Sequence, residues 1–429
     1  YEEMKAMFRV PVQLMPDVVL TMKTDFRGKR KGAVILLRND IERKYTEEQE
    51  KKIESILKKY YTDIERTDTE ISSSEFLKNK DGCFKDKLAQ IGKAEVVVTT
   101  CNFRCSYCYI TQTNKWKSEL KPIGHSAEEI AQALSKKRLG GTCLINLCGG
   151  GETLLCPDIE KVIRALLEEG HFVMVVTNGS VTNVLKKITE FPQELLKRLI
   201  FKFSYHYLEH HRMNLTELFF SNIKMMDKAG CSFTLEVTPH DELIPYIPQL
   251  KEEVLHYLGA LCHVTIARND TQPSIPILSD LPDEEFYKQW GVFDSALFDF
   301  KKSIFGKTQQ QFCYAGDWSV YVHLGTGNMT KCYAGKPLDN IYEHIDRPLH
   351  FEATGCHCPT YHCYNGHSFL ALGDIPELDT PSYAELRQRT DKDGNNWLKP
   401  EVKEFLSCKL NESNKEYPAW KKWLINHKK

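Results

Sequence analysis

Three cysteines, Cys101, Cys105 and Cys108, stand in the segment TTCNFRCSYCY at spacing C-x3-C-x2-C, directly after an apolar run. Thiolates are the ligands of iron–sulfur clusters, and a cubane has four irons. Three local thiolates therefore leave one iron without a protein ligand. An open coordination position is where a substrate or cofactor binds, as at a catalytic zinc. The competing reading is a structural zinc knot, which ordinarily shows C-x2-C pairs and four ligands. A second group begins with Cys313, Gly327 and Cys332 at spacing C-x13-G-x4-C and continues through GCHCPTYHC with Cys356, Cys358 and Cys363. Five cysteines in 51 residues point to a second metal centre. A zinc ribbon is the alternative there, because His357, His362 and His367 are close by. One cubane uses at most four thiolates, so one of the five is spare.

The chain has 429 residues and fifteen cysteines, with no disulfide-scaffold brevity and no export signal at its start. The first residue is Tyr, not Met, so the numbering is expected to begin downstream of the natural start. A formal net charge of −1 gives no global field for nucleic acid or an anionic membrane. No apolar run approaches the roughly 20 residues that span a bilayer. A cytoplasmic protein without nucleic-acid or membrane partners is expected.

The elements that must position the cysteines follow from patterning. Between 93 and 270, short apolar runs alternate with helical stretches: EVVVTT (95–100), CLINLC (143–148), FVMVVT (172–177), LIFKFS (199–204), FTLEVT (233–238) and HVTIAR (263–268). Strands alternating with helices imply βαβ units on a parallel sheet. Six strands are too few for a complete eight-stranded barrel, so the α/β core is expected to be a partial (β/α)6 TIM barrel with its site at the strand C-termini. Asp158 is a candidate N-cap for a helix over 157–169. Residues 1–92 read as a small α+β region, with a hairpin of VVLTM and GAVILL and a helix over about 46–61. Residues 271–310 read as a linker containing a helix, 311–372 as a cysteine-rich domain, and 373–429 as helical and charged.

CNFRCSYC resembles the motif of the radical S-adenosylmethionine (SAM) superfamily, C-x3-C-x-aromatic-C, with Tyr107 as the aromatic. The resemblance extends over the six-strand core. It implies that Cys101, Cys105 and Cys108 hold a [4Fe–4S] cluster that cleaves SAM to a 5′-deoxyadenosyl radical. It places Gly150, Gly151 and Glu152 on the SAM amino group; here the segment reads CGGGET, with Thr153 where the family often has Pro. Glycine lets backbone approach a ligand closely, and a carboxylate suits an ammonium. By the same resemblance Thr177 and Asn178 lie along SAM, Ser204 near its ribose and His206 near the substrate, with Glu236 and Arg268 as further polar candidates. The second cysteine group resembles the opening of SPASM and twitch domains, in the shorter, one-cluster twitch form. Its second half, C-x-C-x4-C, departs from their pattern. Two [4Fe–4S] clusters, SAM and a reducing partner such as flavodoxin or ferredoxin are implied.

Strand polarity sorts the remaining cysteines. Cys143, Cys231 and Cys262 precede or begin strands and are expected in the core, whereas Cys148 ends one beside the glycines and faces the catalytic end. The favoured reaction is hydrogen abstraction from a hydroxylated carbohydrate-type small molecule, polyol or sugar, nucleotide-linked forms included. A surplus thiol, Cys148 or the fifth cysteine of the second group, would quench the substrate radical, which makes epimerisation favoured over dehydrogenation. The alternative is maturation of a ribosomally made peptide, with 8–90 as its recognition region. A non-catalytic electron carrier is a third reading, against which the intact SAM motif argues.

Overall fold

The computed structural model describes residues 100–427 other than Ala334 and His357, and the backbone of three earlier strands. The chain divides into two compact units, Tyr1–Lys85 and Asp86–Lys429. In the first unit, β1 (Ala33–Leu37) pairs in parallel with β2 (Ile64–Asp68). The expected hairpin would have set GAVILL antiparallel to VVLTM; VVLTM lies outside the described residues, as does the helix expected over 46–61. A parallel pair needs a crossover of roughly a dozen residues or more in place of a tight turn.

The second unit is built on a nine-stranded sheet. Six parallel strands run in sequence order: β3 (Gln90–Val96), β4 (Leu144–Gly149), β5 (Phe172–Thr177), β6 (Leu199–Ser204), β7 (Ser232–Val237) and β8 (His263–Val264). On the other side of β3 lie β9 (Ser319–His323), parallel to it, and then β10 (Asn328–Thr330) and β11 (Pro337–Asn340), antiparallel. The sheet is the parallel α/β arrangement expected of a partial barrel. Its first strand lies earlier than EVVVTT, ending at Val96, and its last is only two residues long.

Helices cover the outer face between strands: α1 (Ile159–Glu168), α2 (Thr182–Thr189), α3 (Thr216–Lys228) and α4 (Ile247–Leu258). In α1, Ile159, Val162, Ile163, Leu166 and Leu167 are buried, the 3-4 spacing of one helical face. They meet Ile145, Leu147, Val173 and Val175 from alternate strand positions in one core. Replacing such a side chain, Leu166→Ala for instance, costs roughly 2–5 kcal/mol. Asp158 does precede α1, but with φ at +59°, and its carboxylate accepts no cap bond from the helix; it pairs with Lys161 at 2.7 Å instead.

The inner face of the same strands carries Leu144, Met174 and Ile200, and these pack against Leu297, Phe300, Trp318, Tyr383 and Leu386. The C-terminal half of the unit thus fills the barrel from below. The stretch 271–310 contains two helices, Asp283–Trp290 and α5 (Ala296–Ile304). Ser295 ties α5 to the sheet by accepting from the Val264 amide at 3.1 Å. Later come α6 (Tyr383–Arg387) and, at the end, α7 (Ala419–His427). Among the described residues no helix is long and apolar enough to cross a membrane.

Candidate active site

A cavity of about 330 Å³ opens at the C-terminal ends of β4–β8, and Cys101, Cys105 and Cys108 line one side of it. The loop that carries them is fixed from several directions. The Phe103 amide points at Cys101 Sγ (3.4 Å), the Trp116 indole N–H donates to the Cys101 carbonyl (3.2 Å), and the Cys108 amide donates to the Cys105 carbonyl (3.2 Å). The Arg104 guanidinium lies 3.1 Å over the Trp116 ring, a cation–π contact. The Arg104 amide donates to Glu209 (3.1 Å), whose carboxylate Arg212 grips with two nitrogens at 3.0 and 2.8 Å. Burial pushes the Cys101 thiol up to about 11 and raises Cys105 and Cys108 as well. Iron ligation therefore has to release their protons. Among the described residues no three His, Cys, Asp or Glu side chains gather around one point as single-ion ligands. A cubane puts each thiolate on a different iron, so three thiolates from one loop suit a cluster with one iron left open.

Gly150, Gly151 and Glu152 follow β4 on the adjoining wall. The Glu152 amide donates to the Thr100 carbonyl (3.0 Å), joining this segment to the cysteine loop. A Cβ on Gly151 would sit 2.0 Å from that carbonyl oxygen, which leaves glycine as the residue that fits. The Glu152 side chain is 2% exposed. It accepts from the Leu154 amide (3.0 Å), the Thr177 hydroxyl (2.6 Å) and the Asn178 amide (2.6 Å). Burial raises its pKa and these three donors oppose the rise. Asn178 also reaches back, its amide donating to Asn102 at 2.9 Å. Thr177, Asn178 and Ser204 all line the cavity.

His206 and Tyr107 line it together, the Tyr107 hydroxyl 2.5 Å from His206 Nδ1. Burial, with His210 and His240 nearby, lowers His206 to about 3, so its ring is neutral. Through Tyr107, His206 is tied to the cysteine loop. Arg268 lines the cavity and donates to the Tyr364 carbonyl (3.1 Å). Two expected residues do not line it. Cys148 is 8% exposed, four residues along β4 from the inward-facing Leu144, and outside the lining. Glu236 is 5% exposed beneath the floor, ion-paired with Lys202 (2.9 Å) and Arg387 (3.1 Å). Its burial raises the pKa, but Arg387, Lys202 and Lys301 outweigh this and hold it at about 2. Cys143, Cys231 and Cys262 are fully buried.

Sequence reasoning missed Lys202, Thr265, Asp270, Lys301 and Tyr364, all of which line the cavity, and weighed His367, which also lines it, only as a zinc ligand. Lys202 did leave a signal, a lone lysine inside the apolar run LIFKFS. Lys301 left none: it sits beside Lys302 on α5, far along the chain.

In the second cysteine group, Cys313 exchanges backbone bonds with Gly355 (3.1 and 3.0 Å). Gly327 forms the β9–β10 turn with φ at +75°, where a Cβ would meet Asn340 Oδ1 at 2.2 Å. Cys313, Cys332 and Cys363 act on one another electrostatically, and Cys358 acts on Cys363. Cys356 is gripped by Asn426 of α7, which donates to Sγ (3.2 Å) and accepts from the Cys356 amide (2.9 Å).

Residues 96–242 match the Radical SAM superfamily. That stretch carries the cysteine loop, Gly150–Glu152, Thr177, Asn178, Ser204 and His206, and it is a radical SAM domain, the catalytic core of enzymes that bind SAM and a [4Fe–4S] cluster. Arg268 and the second cysteine group lie beyond it. The chain is 36% identical over 80 residues to an S-adenosylmethionine-dependent nucleotide dehydratase of Lacinutrix mariniflava, 19% of this chain and 17% of that protein. It spans 17% and 31% of the lengths of the curated relatives it matches. Among solved structures it is similar to Streptococcus suis SuiB bound to precursor peptide SuiA, with 16% identity, a TM-score of 0.42, and 78% and 80% of the two chains covered. It is also similar to anSMEcpe with bound AdoMet and a Cp18Cys peptide, with 14% identity, a TM-score of 0.42, and 60% and 78% covered.

Proposed function

We propose that this radical SAM domain serves an enzyme that takes a hydrogen atom from a carbinol C–H of a hydroxylated, carbohydrate-type small molecule. The observation that carries the reading is one cavity with two unlike walls. One holds the three cysteines and Gly150–Glu152; the other presents Ser204, Thr238, Thr265 and Arg268, a polar lining suited to a polyhydroxylated ligand.

SAM and a reduced cluster, when bound, supply one-electron chemistry: cleavage of SAM to methionine and a hydrogen-abstracting 5′-deoxyadenosyl radical. The chain's own part is positional. Cys101, Cys105 and Cys108 would hold three irons of the cluster and leave the fourth for SAM. Gly150 and Gly151 let backbone approach the SAM ammonium, beside the Glu152 carboxylate that Thr177 and the Leu154 and Asn178 amides hold in place. Tyr107 and His206 brace the cysteine loop from the substrate side.

Epimerisation by a thiol donor needs a sulfhydryl facing the substrate. Among the described residues, the thiols lining the cavity are those of Cys101, Cys105 and Cys108. Cys148 is outside the lining, and Cys356 is engaged by Asn426. This supports dehydrogenation over the epimerisation that the cysteine surplus favours. A second cluster, held by Cys313, Cys332, Cys358 and Cys363, would supply an electron acceptor, with Cys356 as the spare cysteine. The test is anaerobic turnover in D2O with dithionite and a panel of sugars and cyclitols. An oxidised product without solvent deuterium is expected. A product of unchanged oxidation state carrying one deuterium restores the epimerase, and no 5′-deoxyadenosine from SAM sinks the whole reading.

A further inference from the structure

The cavity's far wall carries more positive charge than the polyol reading uses. Lys202 from β6, Arg268 beyond β8 and Lys301 from α5 line it, and Arg387 of α6 lies just beneath, fully buried. All four cations act on His367, which also lines the cavity and whose Nδ1 is buried without a hydrogen-bond partner. The carboxylates facing this group are few. Glu236 is shared by Lys202 and Arg387, and Asp270 lies on the Cys108 side of the cavity. Among the described residues no carboxylate is within ion-pair distance of Lys301 or Arg268; Lys301 donates to the Thr265 hydroxyl and Arg268 to the Tyr364 carbonyl. Arg387 meets Glu236 through Nε, while its two terminal nitrogens are buried without a hydrogen-bond partner. Among the described residues Glu236 is thus the one carboxylate ion-paired within this group, and an excess of positive charge in a buried place is costly unless a further anion joins it.

We infer that Lys202, Lys301 and Arg268 form a subsite for a terminal phosphoryl group of the substrate. The inference rests on the SAM reading above, which sets the SAM ammonium at Gly150–Glu152 on β4. The SAM carboxylate is two bonds from that ammonium, so it stays on the β4 side, while the cations come from β6, from beyond β8 and from α5. A phosphoryl group offers three acceptor oxygens and up to two negative charges, one oxygen for each of three cations from three elements. A carboxylate offers two oxygens and one charge. Burial and the neighbouring Lys202, Arg268 and Arg387 also push Lys301 well below the usual lysine range, against the pull of Glu236; a bound dianion reverses that push.

The test uses the full chain, reconstituted anaerobically and saturated with SAM, titrated with inorganic phosphate and separately with acetate by NMR. Phosphate is expected to bind, with acetate weaker by about tenfold or more. Lys301→Met and Arg268→Gln should each weaken phosphate by about tenfold, while SAM affinity stays within about twofold and Lys301→Arg retains phosphate binding. Arg268→Gln, on the cavity wall, carries the test if Lys301→Met does not fold. Undiminished phosphate binding in the variants overturns the subsite, and so does acetate binding as well as phosphate. SAM affinity falling in step with phosphate assigns the cations to the SAM carboxylate instead. Uncoupled SAM cleavage, measured without phosphate, reports separately on the radical SAM reading.

Discussion

The two cysteine groups reach their positions by opposite routes. Cys101, Cys105 and Cys108 fall within eight residues, and one loop braced by Trp116, Glu209 and the Glu152 amide sets all three. The five cysteines from Cys313 to Cys363 are spread over 51 residues and are positioned by long-range structure: the Cys313–Gly355 bridge, the β9–β10 turn at Gly327, and α7 reaching Cys356 through Asn426. A local motif announces its ligands by spacing. A dispersed one names candidates and leaves the fold to choose among them.

Iron content gives the sharpest contrast. The reconstituted protein is expected to hold about eight irons, and changing Cys101, Cys105 and Cys108 together to Ala should leave about four and abolish SAM cleavage. A wild-type content near four would erase the second centre, and the comparison with it.

The charged floor between the two groups comes next. Glu236→Gln leaves Lys202 and Arg387 buried without their shared carboxylate, a loss of about 3–5 kcal/mol in chemical unfolding at neutral pH. The sign with pH follows from a native pKa of about 2, below the unfolded carboxyl near 4.3. The contribution is complete above pH ~4.3 and is lost as pH falls toward 2, so the wild-type and variant stabilities should converge in that window. A constant gap down to pH 2 would show that Glu236 is not held by those cations.

Glu152→Ala should weaken SAM binding by about 1.5–3 kcal/mol, through loss of a charge-assisted bond. Equilibrium binding of SAM to the cluster-loaded protein checks it. Unchanged affinity would mean that this carboxylate only braces Thr177 and Asn178.

The smallest effect tests the selection within the dispersed group. Cys356→Ala should keep about eight irons, whereas Cys363→Ala should fall toward four. Equal losses would make Cys356 a ligand and return the spare role to another cysteine.

What the sequence made legible follows the same division. The cysteine loop, the glycines after β4 and the polar ends of β5 and β6 are local signals, and all face one cavity. Lys301 escaped notice, and His367 was weighed only as a zinc ligand, because their place at the cavity depends on α5 and the region after Cys363 folding back over the strands. Cys148 was placed correctly on its strand, but its distance from the cavity depends on side chains around it that strand polarity does not specify. The first strand was set too late, since the apolar run EVVVTT masks a pairing that begins at Gln90. VVLTM and the helix expected over 46–61 lie outside the described residues.

The pairing of β9 alongside β3, Gln90 opposite Ser319 through Glu95 opposite His323, bears on the order of events during synthesis. Until the ribosome has delivered the β9 segment, β3 can gain only β4 and keeps an open edge, the kind of edge that recruits wrong partners. Contacts so distant in sequence close late. The loop leading from β3 into Cys101 is therefore tethered on one flank first, with the later chain still absent.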